Sequence, residues 1–194
     1  CFGDIALNYS PYTLRLDGSH EGINPYARGI SLDNFYLGRM QFAGFMVWED
    51  KPHKKAYGSK LSYDAGSFSS SLIYVKYVDN NLWRNADGTL RYSEPEEIDQ
   101  VTSWEGTYKI NDNATIKAFY AANYKMDDEN ENTVRAFKVD FENNVSSNLV
   151  LAAGYLDFQP GFGPRYADRT PLFDPEDGSL LEWNPVERYA GKEG

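Results

Sequence analysis

The sequence predicts an all-β fold whose strands follow one another as an antiparallel up-and-down meander. Helical periodicity is almost absent, and runs of Val, Ile, Tyr, Phe and Thr with period two recur between clusters of Asn, Asp, Gly and Ser. Several runs are longer than the five or six residues of a typical globular strand. The predicted strands cover residues 4–9, 12–17, 29–37, 40–49, 56–64, 67–78, 101–110, 114–126, 133–142 and 147–158.

Each predicted strand has one apolar and one polar face. Between residues 103 and 110, Trp104, Tyr108 and Ile110 alternate with Glu105 and Lys109. The same alternation recurs in 56–64, 133–142 and 147–158. A half-buried sheet in water also alternates in this way, so the pattern alone leaves open whether the apolar face meets protein or lipid.

The lengths of the links between the predicted strands indicate that the apolar faces contact lipid. Tight links at 64–66, 111–113 and 143–146 alternate with longer links at 50–55, 79–100 and 127–132. A membrane barrel gives this pattern because its turns are short at one rim and its loops extend into water at the other. The sequence therefore predicts part of a transmembrane β-barrel.

Aromatic residues near the ends of the apolar faces support this prediction, because amphipathic rings collect at the two membrane–water interfaces. Small residues such as Gly106, Ala118, Ala122 and Ala153 occupy much of the centre, where a soluble core would be filled by larger side chains. The predicted interface aromatics are Trp48, Tyr57, Tyr63, Trp104, Tyr124 and Tyr155.

The composition of the chain limits the classes of molecule that it can bind. The chain has 194 residues and a net charge of −10, which argues against nucleic acid, whose binders need a basic patch. No apolar run of about 18 residues is present, so no transmembrane helix is predicted. Cys1 is the single cysteine. No internal disulfide can form. A cysteine in the first position can be the lipid-bearing end of a mature lipoprotein, but we expect that the sequence simply begins at Cys1.

Two stretches carry a family resemblance: "FAGFMVWEDKPHKKAYGSKLSYDAG" (42–66) and "LVLAAGYLDFQPGFGPRYADRTP" (149–171). In texture, over about residues 40–171, the chain resembles the barrel part of the S-layer-homology porins of diderm bacteria. The resemblance implies a bacterial outer-membrane location, contact with outer-membrane lipid, and passive diffusion of small hydrophilic solutes, with an envelope-structural role beside it. Homo-oligomers are left open. No S-layer-homology segment is present, so wall anchoring is not carried over.

The domain prediction is a single β-barrel domain, or a fragment of one, over residues 1–194. Residues 159–194 form its long irregular loop. Because the chain ends in that loop and not in a strand with a terminal aromatic residue, we expect a fragment of a longer polypeptide. The loop is rich in proline and aromatic residues, and it is predicted either to fold inward as a constriction, with Arg165 and Arg169 facing acidic lumen residues, or to pack on the surface.

Charged residues opposite the apolar faces are the predicted pore lining. Fixed charges of mixed sign in a narrow water path bias which solutes pass. In a soluble sheet the same charges would lie on a solvated outer face. The predicted pore-lining residues are Lys60, Glu105, Lys109, Lys117, Lys138, Asp140 and Glu142.

No catalytic motif is recognised, so no enzyme activity is predicted. Glu94, Glu96 and Glu97 are expected in a loop without an apolar wall to raise a pKa for acid chemistry. No cofactor and no metal site is predicted for His20 or His53. The acidic runs 127–132 and 174–177 have oxygen ligands suited to calcium but lack EF-hand spacing, and we interpret them as solvated loops.

Two rival interpretations remain. One is a soluble, secreted β-sandwich or jelly roll that binds carbohydrate through Trp83, Trp104 or Trp183. The other is an extracellular surface-layer or matrix protein whose strands pair between chains. Either would place the protein outside the cell or on its surface.

Overall fold

The computed structural model is all-β and antiparallel, as predicted. The structure describes residues 2–5, 7–10, 13–16, 27–48, 54–84, 90–126, 131–146, 149–163, 172–173 and 180–182. The strands are β1 Phe2–Ile5, β2 Leu7–Ser10, β3 Leu14–Leu16, β4 Ala27–Leu37, β5 Met40–Trp48, β6 Lys54–Asp64, β7 Phe68–Arg84, β8 Leu90–Lys109, β9 Ala114–Met126, β10 Glu131–Ser146, β11 Leu149–Phe158, β12 Leu172–Phe173 and β13 Leu180–Glu182.

One nine-stranded sheet dominates, in the order β1-β4-β5-β6-β7-β8-β9-β10-β11. From β4 onward every strand pairs with its neighbour in sequence, which is the predicted meander. The sheet is open, with β1 at one edge and β11 at the other. Two small hairpins, β2–β3 and β12–β13, stand outside its hydrogen-bonding ladder.

Residues suited to tight turns lie where β4–β5, β6–β7 and β8–β9 reverse. Gly38 and Gly66 have φ of 63° and 85°, values that favour glycine because it has no Cβ. Asp64 Oδ1 accepts a 2.7 Å hydrogen bond from the Gly66 amide, and Asn111 Oδ1 accepts hydrogen bonds from the amides of Asn113 and Ala114. These turns share one rim of the sheet, which we call the turn rim; the opposite end is the loop rim.

The predicted link 79–100 is wrong, because β7 continues to Arg84 and β8 begins at Leu90. Polar residues hid these strands, and the register shifts between Asp79 and Asn80 and again before Leu82. Pro95, which has no amide hydrogen, is paired at this irregular stretch. Glu94, Glu96 and Glu97 therefore lie in a strand and not in a loop.

The extra length of β7 and β8 extends past their neighbours. Lys54, the first residue of β6, pairs with Asp79, and Met126, the last residue of β9, pairs with Ile98. Residues 80–84 and 90–97 thus form a two-stranded ribbon beyond the loop rim. The connections at this rim, 49–53, 85–89 and 127–130, are only slightly longer than those at the turn rim.

The N-terminal predictions were too coarse. The expected strand 4–9 is two strands, β1 and β2, and the expected strand 12–17 is the short β3. β1 pairs with β4 at the sheet edge, whereas β2 and β3 pair with each other. The β2–β3 hairpin packs against one face of the large sheet, which we call the hairpin face. The opposite face is the open face.

The core lies on the hairpin face. Leu7, Tyr9 and Leu14 of the β2–β3 hairpin are buried against Phe45, Val47 and other side chains of β5 to β8. Farther along the sheet, Phe158 and Phe162 cover Phe119, with ring centroids 6.2 Å apart for Phe119–Phe158 and 5.3 Å for Phe158–Phe162. Burying these apolar side chains is the main source of stability for the assembly of sheet and hairpin.

Candidate functional site: the two faces of the sheet

The open face exposes large apolar side chains over most of its area. Trp104 is 38% exposed, Tyr108 50%, Leu151 51% and Tyr155 60%, and Val139 is half-buried. None of these residues belongs to the core cluster. The other exposed large apolar residues of the open face from β5 onward are Met40, Phe42, Met46, Leu61, Tyr63, Phe68, Leu72, Ile110, Tyr120, Phe137 and Leu149.

The register aligns these side chains into rows across the sheet. One central row runs Phe42, Leu61, Leu72, Trp104, Tyr120, Phe137, each directly opposite the next on the neighbouring strand. Large apolar residues in direct register across six strands make a continuous surface, which we call the apolar band. A monomeric soluble protein rarely exposes an apolar patch larger than a few hundred Å².

A polar row limits the apolar band toward the loop rim. It runs Tyr57, Lys76, Gln100, Tyr124, Thr133 in register. Here tyrosine hydroxyls contact polar partners: Tyr124 Oη donates to Glu131 Oε1 at 3.1 Å, and Tyr74 Oη donates to Gln100 Oε1 at 3.3 Å. The tyrosine rings lie toward the apolar band and their hydroxyls toward polar partners, so this row forms the edge of the band.

All six predicted interface aromatics lie on the open face. Trp48, Tyr57 and Tyr124 are near the loop rim, and Tyr63 is next to the turn after β6. Tyr155 is the last apolar open-face residue of β11 before Asp157. Trp104 differs, because it lies in the central row of the apolar band and not at an end.

Trp104 makes its polar contact inside the sheet. Its Nε1 donates a 2.8 Å hydrogen bond to Ser70 Oγ on β7. The indole lies across Gly106, where an added Cβ would come within 2.7 Å of the ring. Ser70 and Gly106 are register partners, so a small hydroxyl and a missing side chain together make room for the ring.

The predicted pore-lining residues all lie on the hairpin face and divide into two groups. Nearer the turn rim are five residues that we call the polar belt: Lys109, Lys117, Lys138, Asp140 and Glu142. Lys138 Nζ lies 2.6 Å from Asp140 Oδ2 in a partly exposed ion pair, and Lys117 is the register partner of Asp140. The belt borders a concave region that also includes Glu105 and Thr107.

Lys60 and Glu105, the second group, lie under the β2–β3 hairpin. Lys60 Nζ donates a 2.8 Å hydrogen bond to the Tyr9 carbonyl and lies 5.9 Å from the centre of the Tyr9 ring. Glu105 accepts a hydrogen bond from the Ser10 hydroxyl. The charges of Lys60 and Glu105 also act on each other.

Sequence reasoning missed the apolar half of the hairpin face. Toward the loop rim this face carries Phe45, Val47, Val75, Tyr77 and Val101, all buried. The signal was in β7, where "SLIYVKYV" is apolar at successive positions; such a run indicates a strand covered on both faces. The hairpin that provides the cover is short and irregular, and the strands predicted at 4–9 and 12–17 did not indicate that it packs on this face.

Several predicted features lie outside the described residues. These are Cys1, His20, His53, Arg165, Arg169, Trp183 and most of the two acidic runs. For Trp83 the structure describes the strand but not the side chain. Within the described ranges, no three His, Cys, Asp or Glu side chains group closely enough to hold a metal ion, and no helix is long and apolar enough to cross a membrane.

Comparison with known proteins does not assign this chain to a family. No protein-family model and no solved structure matches the chain. A levansucrase from Fructilactobacillus sanfranciscensis is 38% identical over 64 residues. That match covers 30% of this chain and 7% of the enzyme, so this chain spans only a small part of the protein it resembles.

Proposed function

We propose that this chain forms part of an outer-membrane-type β-barrel, in which the open face contacts lipid and the hairpin face borders a water path for small hydrophilic solutes. The observation that best supports this proposal is the apolar band, in which large side chains are exposed in register from β5 to β10. Water is a poor medium for such a surface, whereas hydrocarbon is a good one.

The size of the apolar band supports the proposal. On β9 the open face is apolar from Ala114 to Tyr124, ten steps along the strand. Ten steps cover about 34 Å of strand, and a tilt of about 40° reduces this to roughly 26 Å of height, close to the ~25 Å band of outer-membrane barrels. The tyrosines of the polar row would then stand at headgroup level.

The hairpin face supports the water path. Its polar belt contains lysines and carboxylates on β8, β9 and β10, and these would bias the passage of charged solutes. The apolar residues of this face are covered by the hairpin and by Phe158 and Phe162. The charged residues of the polar belt would therefore be the ones that contact water. The chain would act as a passive pore, with support of the cell envelope as a second role.

Two measurements test the proposal. A closed barrel should migrate faster on a gel before boiling than after it, and the protein should need detergent to stay in solution. In planar bilayers the purified protein should give discrete conductance steps. If the protein is monomeric in buffer without detergent, the barrel proposal is wrong. If it gives no conductance in bilayers, the pore proposal is wrong, and a purely structural barrel remains.

Of the three tryptophans named for the carbohydrate-binding alternative, Trp104 is the one whose side chain the structure describes. Its ring is exposed, but its neighbours in the row are Leu72 and Tyr120, and its one donor is used by Ser70. A sugar platform needs polar groups around the ring to bind hydroxyls. The surroundings of Trp104 therefore favour lipid over sugar.

A further inference from the structure

The β2–β3 hairpin covers the centre of the hairpin face without belonging to the large sheet. Leu14 and Thr13 have no exposed surface, Leu7 is 2% exposed, and the Tyr9 ring meets Phe45 edge-on at a centroid distance of 5.6 Å. The hairpin thus fills the space that the hairpin face borders.

Three polar contacts fix the hairpin to two strands of the sheet. Lys60 of β6 donates to the Tyr9 carbonyl, and Glu105 of β8 accepts from Ser10. Thr13 Oγ1 and Ser103 Oγ, also on β8, are hydrogen-bonded at 2.7 Å. Two of these contacts involve a charged side chain, and such hydrogen bonds are stronger than neutral ones.

The sheet provides a cradle of small side chains for the hairpin. Ala43, Ala56 and Ser103 are buried on this face, and Ser62 and Ser71 bond each other through their hydroxyls at 2.9 Å. Larger residues at these positions would occupy the place of the hairpin. The small side chains of the sheet and the three polar contacts together hold the hairpin in one position, which we call the seated state.

Other features indicate that the hairpin can leave this position. Its ladder has only three register pairs with one shift, and it adds no strand to the large sheet. Among the described residues, the buried Tyr9 hydroxyl has no hydrogen-bond partner, and such a group disfavours the seated state. The opposite charges of Lys60 and Glu105 also attract each other, and this attraction would remain after the hairpin leaves.

We propose that the β2–β3 hairpin is a displaceable stopper of the water path. Seated, it blocks the path at the level of Lys60 and Glu105 and partly covers both charges; displaced, it opens the path and exposes them more fully to solutes. This inference rests on the proposed pore function. It adds a closed and an open state to that function, and two charged residues that are partly covered in the closed state and more accessible to solutes in the open state.

Thiol labelling measures displacement without depending on conductance. In a Cys1→Ser background, Ser103→Cys places a thiol under the hairpin, and a water-soluble methanethiosulfonate reagent reports how often it is uncovered. Lys60→Met removes one contact and should raise the labelling rate on the order of tenfold. Lys76→Met is the matched control: it makes the same change on the open face, outside the hairpin contacts, and should leave the rate unchanged.

Conductance of the same variants tests the stopper. Lys60→Met should raise the fraction of time in the larger conductance state, in parallel with labelling. If Lys60→Met does not fold, Thr13→Cys/Ser103→Cys in the Cys1→Ser background replaces it. Its disulfide should hold the channel in the small state, and reduction should restore the large one.

The outcomes separate the two proposals. An unchanged labelling rate in Lys60→Met, or equal conductance of the oxidised and reduced double-cysteine protein, overturns the stopper and leaves the pore intact. Faster labelling with unchanged conductance in a conducting protein also overturns it. Silence of every variant in bilayers overturns the pore and the stopper together.

Discussion

Trp104 Nε1 donates a hydrogen bond to Ser70 Oγ across the boundary between β8 and β7, in the middle of an apolar surface. An indole N–H in hydrocarbon finds no partner in the solvent, so a partner within the sheet is needed there. In water the same bond would contribute little, because water would replace it. The pair is therefore a sensitive indicator of the medium around the open face.

Removing this partner should destabilise the protein in lipid. Ser70→Ala leaves the indole N–H unpaired, and the expected loss is about 1–3 kcal/mol of unfolding free energy. Denaturant titration of the protein in lipid vesicles measures it. Ser59→Ala, the same change at another open-face serine, should cost less than about 0.5 kcal/mol; equal effects of the two substitutions would contradict this interpretation of the pair.

A charge in the central row should be costly only if the row meets hydrocarbon. Leu72→Arg should lower the unfolding free energy in vesicles by about 2–4 kcal/mol, whereas Thr133→Arg, in the polar row, should cost about 0–1 kcal/mol. Leu72 is half exposed, so in a soluble protein the first substitution would change stability by less than about 0.5 kcal/mol. A small effect of Leu72→Arg would argue for water.

The polar belt should set ion preference. Lys117→Glu reverses one charge of the belt, and the reversal potential in a salt gradient should shift toward cation selectivity. Lys76→Glu makes the same change on the open face, away from the water path, and should leave the reversal potential unchanged. Equal shifts for both variants would show that the belt has no special role.

Tyr9 should link hairpin seating to alkaline pH. Burial, with a smaller effect from the charge of Asp33, raises the pKa of Tyr9 to about 12, compared with 10.0 ordinarily. A raised folded-state pKa gives stability that is complete below pH 10 and is lost as the pH rises through 12. Stability measured between pH 9 and 12 should therefore fall, and Tyr9→Phe should reduce this fall.

The same substitution has an expected effect at neutral pH. Because Tyr9→Phe removes a buried hydroxyl without a partner among the described residues, it should be neutral or stabilising by up to about 1 kcal/mol. A loss of more than that would mean that the hydroxyl has a partner in the folded protein. Denaturant titration at pH 7 decides the matter.

The fold was predictable from sequence because period-two alternation and turn residues act locally. Asp64, Gly66 and Asn111 form turns where their types predicted them, and the two faces of β8, β9 and β10 separate the residues as expected. The strand ends were less predictable. Residues 80–84 and 90–97 are mostly polar, and their pairing depends on each other and not on a local pattern.

The β2–β3 hairpin was not predictable as a cover. Its contacts with Lys60, Ser103 and Glu105 join residues 51 to 95 positions apart, and nothing near Tyr9 or Thr13 in sequence indicates these partners. Alternation identified the side of the sheet on which Lys60 and Glu105 lie. It did not distinguish them from Lys117 and Glu142, which the hairpin does not cover.

Accessibility of spin labels on the open face tests the central claim most directly. In a Cys1→Ser background, single cysteines at 107–109 of β8 and 115–118 of β9 carry the label, and collisions with oxygen and with a polar nickel complex are measured in lipid vesicles. Oxygen should dominate at Tyr108, Ile116 and Ala118, and the nickel complex at Thr107, Lys109, Thr115 and Lys117. High nickel accessibility at the even-numbered positions would place the open face in water and contradict a lipid-facing barrel.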